Sequence, residues 1–227
     1  MNSTPDQTLG NLVSEHPSWG NVFEAIGLDF CCGGRQTLKD AVRDRGLDVN
    51  TVTIMLEAFP QNQSGISEPN PARLETNALI DHIVSVHHQF VRTELPRLRS
   101  LAQKVERVHG ASHSVAANIF PKLETLSNAL FSHLDEEENE LFPAFREALQ
   151  QNRKLVSEEF TDWFHEHEDV GAMIHQLRDI TECYQKPAWA CQTYSLLMEG
   201  LQAFESDLHE HIHLENNVLF PRLGALS

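Results

Sequence analysis

The sequence is short of the features that mark secreted and membrane proteins. Only four of its 227 residues are cysteine, too few for a disulfide-stabilised fold and more in keeping with a reducing compartment. No apolar run approaches the roughly 18 to 20 residues that cross a bilayer, and the N-terminus has neither the basic nor the apolar region of a signal peptide. We therefore expect a cytoplasmic protein that does not act on a membrane.

Positive charge is also scarce. Lysine and arginine number 17 against 33 aspartates and glutamates, which gives a formal net charge of -16 at pH 7. Nucleic acids and anionic membranes require a basic surface, so we expect neither as a partner. Histidine, in contrast, is plentiful, with 13 residues. Because histidine and carboxylate side chains both bind cations, the composition favours a cation site.

One sequence pattern occurs twice, as HLDEEENELFP at 133–143 and as HIHLENNVLFP at 211–221. Each copy reads His, three residues, Glu, and then Leu-Phe-Pro after a segment that contains Asn. Residues four apart lie on one face of a helix, so the His and Glu of each copy can bind the same object. Two such helices can hold a pair of metal ions.

Helical periodicity predicts an all-α fold, an up-down-up-down four-helix bundle preceded by a small helical domain. The predicted bundle helices lie near 72–108, 112–148, 154–184 and 190–221, separated by turns at HGAS, QQNR and QKPAW. Pro96 and Pro121 fall inside the first two helices and are expected to kink or interrupt them.

The predicted domain boundaries follow the same periodicity. They are a small helical domain at 1–59, a linker at 60–71 that is rich in Pro, Ser, Asn and Gln, and the bundle at 72–227.

Six polar residues fall on the apolar stripes of the predicted bundle helices, in steps of three and four. A buried charge without a partner is too costly to keep, and a metal pair would satisfy all six. Their predicted positions along the bundle axis agree as well. The sequence midpoints between successive candidate histidines fall in the three predicted turns, so these histidines lie at the same level of the bundle. The six candidate metal ligands are His88, His133, Glu137, His167, His211 and Glu215.

The remaining histidines are expected to lie off these stripes, either solvated or supporting the ligands. These include His87, His165, His209 and His213. His109 lies 21 residues after His88, about 30 Å along a helix, so we place it in the turn between the first two helices.

These motifs carry a resemblance to known proteins. The second part of the chain resembles the hemerythrin-type di-iron bundle, and the chain from about Leu9 to Leu223 is similar to the repair of iron centres family, the iron-sulfur cluster repair proteins linked to nitrosative and oxidative stress. The resemblance lies in DFCCGG at 29–34, IDH at 80–82, KVERVH at 104–109 and both copies of the repeated pattern.

The resemblance implies a cofactor and a set of ligands. The cofactor is a non-haem di-iron centre of two iron ions, with an oxo bridge and two bridging glutamates, and the ligands are the six residues already selected. Ligand chemistry alone would admit manganese as well as iron. Because KVERVH also matches the family, a role for His109 stays open.

The CCGG sequence is a second candidate site. Cys31 and Cys32 precede two glycines and Thr37, a predicted helix N-cap. Backbone N–H groups and the helix dipole, with Arg35 nearby, are expected to lower a thiol pKa. We hypothesise that the pair exchanges electrons or iron with the bundle, with the linker allowing the small domain to dock. The alternative is two small buried side chains beside a tight turn.

The leading functional hypothesis is therefore a stress-response di-iron protein that restores iron-sulfur clusters, acting more as an iron donor than as a turnover enzyme. Its expected partners are damaged or apo iron-sulfur proteins, with nitric oxide or other diatomic molecules as ligands. One alternative is a nitric oxide reductase that takes electrons from the cysteines. Another is an oxygen or nitric oxide carrier or sensor, which would not need the CCGG domain. The sequence leaves a homodimer open.

Overall fold

The computed structural model describes residues 4–59, 70–153, 155 and 161–224, without the side chains of 161 and 162. The described residues are mostly helical. The one β-type pairing among them is an isolated bridge between Thr8 and Thr37. The predicted all-α class is confirmed. The predicted linker falls mostly on 60–69, and the start of the third bundle helix falls on 154 and 156–160; both lie outside the described residues.

Four short helices form the N-terminal region: α1 (Leu9–Glu15), α2 (Trp19–Ile26), α3 (Leu38–Asp44) and α4 (Val49–Ala58). Three of them begin at a side chain that accepts a backbone N–H three residues further on, which satisfies an otherwise unpaired donor. These N-caps are Thr8, Thr37 and Asp48. The prediction that Thr37 starts a helix is confirmed.

Four long helical rods follow, and three of them contain a π-helical segment. The first rod is α5 (Thr76–His82), π1 (Ile83–His88) and α6 (Gln89–His109), and the second is α7 (Ser114–Glu136), π2 (Glu137–Leu141) and α8 (Phe142–Gln150). The third is α9 (Thr161–Ile180), and the fourth is α10 (Gln192–His213), π3 (Leu214–Leu219) and α11 (Phe220–Arg222).

The two internal prolines do not interrupt their helices, so interruption, one of the two predicted effects, is wrong, and a kink stays a prediction. Pro96 lies inside α6 and Pro121 lies inside α7. A proline within a helix costs about 3 kcal/mol. Fully buried neighbours such as Leu95, Leu98 and Leu123 offset that cost through core packing.

The described chain forms two compact units. The bundle unit comprises His82–Arg153 and Thr161–Leu208, and the terminal unit comprises Met1–Asp81, Lys154–Phe160 and His209–Ser227. Packing therefore groups the C-terminal segment with the N-terminal helices. The sequence-based division at 59 and 72 stays a prediction.

Each unit has its own apolar core. In the bundle unit α6 packs against α7 and α7 against α9, and the core residues follow the predicted stripes, including Leu126, Leu130, Ile174, Leu177, Leu201 and Phe204. In the terminal unit α1 packs against π3, and Arg222 donates to the carbonyls of Leu74 and Ala72. Within the described residues, none of the helices has the length and apolar character needed to span a membrane.

Candidate metal centre and cysteine loop

Three of the six candidate ligands lie in the π-helical segments. His88 ends π1, Glu137 begins π2, and Glu215 lies in π3. In these segments the N–H of Phe142 bonds the carbonyl of Glu137, and that of Phe220 bonds the carbonyl of Glu215, five residues back in each case.

Phe-Pro follows the Glu in both copies of the repeated pattern. Pro143 and Pro221 supply no N–H to the carbonyl four residues earlier and crowd it, and the wider π turn accommodates that crowding. Phe-Pro was the sequence signal for these two turns, and the 3.6-residue periodicity could not reveal them.

The Glu137 carboxylate is the point at which three histidines of the bundle unit converge. Its Oε2 lies 3.4 Å from Nε2 of His88, and its Oε1 lies 3.2 Å from Nε2 of His133 and 3.8 Å from Nε2 of His167. The carboxylate is 0% exposed and the three imidazoles are buried. The structure thus brings four of the six candidate ligands together.

Carboxylates outside this group hold the other nitrogen of two of these histidines. Nδ1 of His88 lies 2.9 Å from Oε1 of Glu138, and Nδ1 of His133 lies 2.6 Å from Oε2 of Glu166. A carboxylate acceptor keeps the ring proton on Nδ1, which leaves the Nε2 lone pair facing Glu137. Histidines that bind metals in proteins are held in this way.

The spacing of the nitrogens also fits a metal. Nε2 of His133 and Nε2 of His167 are 3.0 Å apart. Two nitrogens bound about 2.1 Å from one ion in adjacent octahedral positions would lie about 3 Å apart. Imidazole and carboxylate are ligands for first-row transition metals, so the residues of the bundle unit fit such an ion.

The terminal unit holds the second His–Glu pair. Nε2 of His211 lies 3.1 Å from Oε1 of Glu215, and both side chains are buried. The four-residue spacing on a helix places them together, as the sequence predicted.

Three further histidines are buried, against the expectation that they lie off the buried faces. His87 contacts Asp207 at 3.0 Å, His209 contacts Glu24 at 2.9 Å, and His213 Nε2 lies 3.3 Å from the Ser14 hydroxyl. His87 is buried because it lies in π1, in which the adjacent residues 87 and 88 are both buried.

The other two histidines are buried by tertiary packing. Helices α1 and α2 supply their partners, on faces of α10 that the bundle pattern predicts to point outward. Burial lowers the pKa of His213 to about 4. His165 is exposed, as expected.

His109 is the last residue of α6, at the turn that the sequence predicted for it. Its ring lies 5.4 Å from that of Trp189, which stacks on His113 at 4.0 Å. These rings pack together at the turn between the first two bundle helices.

The cysteine loop is organised by Asp29. Its Oδ1 accepts the backbone N–H of Cys31 at 3.1 Å, the N–H of Cys32 at 2.9 Å and the Cys31 thiol at 3.3 Å. The two sulfurs are 4.0 Å apart, and none of the four cysteines forms a disulfide bond. The hydrogen bond to Cys32, with burial, raises the pKa of the Cys31 thiol well above its ordinary value. The expectation of a lowered thiol pKa is therefore wrong for Cys31, because the contact with Cys32 and the burial of this thiol both disfavour its thiolate form.

Asn217 of π3 fixes the other side of this loop. Its amide nitrogen donates to the carbonyls of Cys31 at 2.9 Å and of Phe30 at 3.2 Å. Two glycines permit the close approach, since a Cβ on Gly10 would lie 2.5 Å from Asn217 Oδ1 and one on Gly34 would lie 2.6 Å from the Phe30 carbonyl. The sequence analysis did not select Asn217.

The helical bundle and its buried His and Glu residues define a hemerythrin-type cation-binding protein. Residues 79–223 match the family model for the hemerythrin HHE cation binding domain, and residues 5–59 match a model described as a domain of unknown function.

Similarity extends over nearly the whole chain. The iron-sulfur cluster repair protein ScdA of Staphylococcus epidermidis is 31% identical over 97% of this chain and 99% of its own length. The repair protein YtfE is 35% identical in Pectobacterium carotovorum, over 96% of each chain, and 36% identical in Enterobacter sp., over 97% of each. The chain belongs to this family of iron-sulfur cluster repair proteins, and the resemblance stated from the motifs is confirmed.

Proposed function

We propose that this protein repairs iron-sulfur clusters damaged by nitrosative or oxidative stress, and that it does so by donating iron from a non-haem di-iron centre. Its similarity to iron-sulfur cluster repair proteins supports the repair function. The observation that carries the iron centre is the convergence of three Nε2 atoms on the buried Glu137 carboxylate. The proposed ligands are His88, His133, Glu137, His167, His211 and Glu215.

The full centre requires the His–Glu pairs of both motif copies. The hemerythrin model spans both copies, and their matched heights along the predicted helices support a single centre. We assign Glu137 and Glu215 as the bridging carboxylates, as the resemblance to the hemerythrin-type di-iron bundle implies. When bound, two iron ions supply exchangeable, redox-active cations.

The chain's own residues position that centre. Glu138 and Glu166 keep the protons of His88 and His133 on Nδ1. Arg92 donates to Glu138 at 3.0 Å, which holds this carboxylate against His88. Burial of the four bundle-unit ligands excludes bulk water from them, which would disfavour the loss of a bound iron to solvent.

Cys31 and Cys32 are proposed to pass iron or electrons between the centre and a client. The same proposal places the protein in the cytoplasm, which is a reducing compartment. Replacing both by serine is expected to abolish repair and leave the iron content unchanged. Undiminished repair by that variant would remove the cysteines from the mechanism.

The deciding experiment measures metal content, with optical and Mössbauer spectra, on protein from iron-replete cells before and after anaerobic incubation with an apo iron-sulfur protein. Two coupled irons per chain, partly lost as the acceptor regains its cluster, are the expected result. A protein that keeps both irons while the acceptor stays inactive would refute donation.

A matched pair of variants tests the ligand assignment. His167→Ala is expected to lower the iron content, whereas His165→Ala, at an exposed position on the same helix, is expected to leave it unchanged. Equal iron in both variants would contradict the assignment.

A further inference from the structure

We propose that Asp29, Cys31 and Cys32 form a binding site for a soft or borderline divalent cation, distinct from the bundle centre. In the proposed function, on which this role rests, the cation is ferrous iron as cargo on its way to a client. The side chains offer one carboxylate oxygen and two sulfurs, with the candidate ligand atoms of all three within 4.8 Å of one another.

The distances suit tetrahedral coordination. With metal–sulfur bonds of about 2.3 Å, two thiolates on one tetrahedral ion lie about 3.8 Å apart. The observed separation of the two sulfurs is 4.0 Å. With a metal–oxygen bond of about 2.1 Å, the corresponding oxygen–sulfur distance is about 3.6 Å, and Oδ1 of Asp29 lies 3.3 Å from Sγ of Cys31. Small side-chain adjustments would therefore place all three ligands on one ion.

The loop is held in this arrangement from two sides. Asp29 accepts two backbone N–H groups of the cysteines that would share its cation, and Asn217 holds the carbonyls of Phe30 and Cys31. Little conformational entropy remains to be lost when a cation binds, which favours binding by this short segment.

The three ligands differ in their exposure to solvent, as a site that passes its cation to a client requires. Cys31 is buried, Cys32 is half-buried and Asp29 is exposed. The protein thus supplies three ligands from one loop and leaves the fourth tetrahedral position to solvent or to a thiolate of a client. Structural sites close all four positions with protein ligands, whereas this one stays open for exchange.

The binding step balances without an oxidant or reductant. Two S–H bonds break, the two protons go to solvent, and two metal–sulfur bonds form while the Asp29 carboxylate supplies the third bond. Transfer reverses these bonds in exchange for the ligands of the client, and the cation keeps its oxidation state.

Cobalt(II) is a suitable probe, because sulfur-to-cobalt charge-transfer absorption reports thiolate ligation directly. Iron-loaded full-length protein, kept reduced with a phosphine, is titrated anaerobically with cobalt(II). We expect one thiolate-bound cobalt per chain. We expect Cys31→Ser and Cys32→Ser each to abolish the band, and Cys183→Ser with Cys191→Ser to leave it unchanged.

Asp29→Asn tests the third ligand. Asparagine keeps an oxygen that can accept the two backbone N–H groups, so the loop should retain its fold, as circular dichroism and thiol accessibility can verify. Loss of the carboxylate should weaken cobalt binding at least about tenfold. Absence of the band in the wild type, its persistence without Cys31 and Cys32, or unchanged affinity in Asp29→Asn would each overturn the proposed site.

The assay separates this inference from the proposed function. Cobalt binding is measured without a client, so its absence would refute the cysteine site and would leave the iron content and repair activity of the bundle as evidence for repair. Cobalt binding that persists in a protein unable to repair clusters would support the site and count against the repair mechanism.

Discussion

In the first copy of the repeated motif Glu137 is followed by Glu138, and in the second copy Glu215 is followed by Asn216. Each copy contains a π-helical segment. In each copy the glutamate is buried next to the histidine that lies one helical turn earlier in the sequence. Their surroundings differ. Glu138 contacts His88 and Arg92 in a network of charges, whereas Asn216 is buried and its amide points to the Cys31 carbonyl at 3.5 Å.

The next pair of positions differs in the same direction. Asn139 is exposed and donates to the carbonyl of Asp135 on its own helix, while Asn217 holds the cysteine loop. One sequence pattern thus supports two tasks. The first copy uses charge to orient histidines, and the second uses amides to fix another segment of the chain.

The largest expected effect is common to both copies. Glu137→Ala and Glu215→Ala should each lose iron, because each removes a bridging ligand, and the lost binding energy should lower the free energy of unfolding by about 3 to 4 kcal/mol. Metal analysis and urea denaturation measure both quantities. Glu140→Ala, at an exposed position of π2, is the control. A fully metallated Glu215→Ala protein would show that the two copies do not share the metal.

The next effect should distinguish the copies. Glu138→Asn gives the first copy the residue of the second and removes the carboxylate from Nδ1 of His88. Loss of such a partner lowers metal affinity about 10- to 100-fold. Competition with a chelator measures this change. Asp135→Asn, which removes the charge of another carboxylate that contacts Arg92, should lower metal affinity far less. A loss of affinity equal to that of Glu138→Asn would assign the effect to Arg92.

Asn217→Ala should destabilise the terminal unit by about 1 to 3 kcal/mol, because two carbonyls of the cysteine loop lose their donor. We expect a lower urea midpoint with an unchanged slope and faster alkylation of Cys31. If the alkylation rate stays at the wild-type value, Asn217 does not hold the loop.

The smallest effect is expected at the matching position, Asn139. Its side chain is exposed, and Asn139→Ala should change the free energy of unfolding by less than about 0.5 kcal/mol. A cost as large as that of Asn217→Ala would erase the proposed difference between the two copies.

Much of the fold could be predicted from the sequence because helix periodicity and capping are local. The bundle stripes, the Thr37 cap and the close His–Glu pairs follow from residue spacing. The burial of His209 and His213 could not be predicted, because their partners, Glu24 and Ser14, are remote in sequence.

The residues that support the candidate site were also missed for physical reasons. Glu138 and Glu166 lie in charged stretches of the sequence, and only the packed helices bring them to the histidines. Periodicity assumes 3.6 residues per turn throughout, so it fails where a π segment adds a residue, as at His87. The pKa of Cys31 is raised first by its hydrogen bond to Cys32 and then by burial, and only the folded loop reveals both causes.

The π turn at 214–219 holds one residue more than a regular α-helical turn. Deleting one residue there would let the segment return to α-helical geometry, so Arg222 would keep the direction from which it binds the carbonyls of Leu74 and Ala72. In a regular α-helix the same deletion would rotate every later residue by about 100°. The last helix should therefore tolerate a single-codon deletion within its π turn better than one in the regular turns before it.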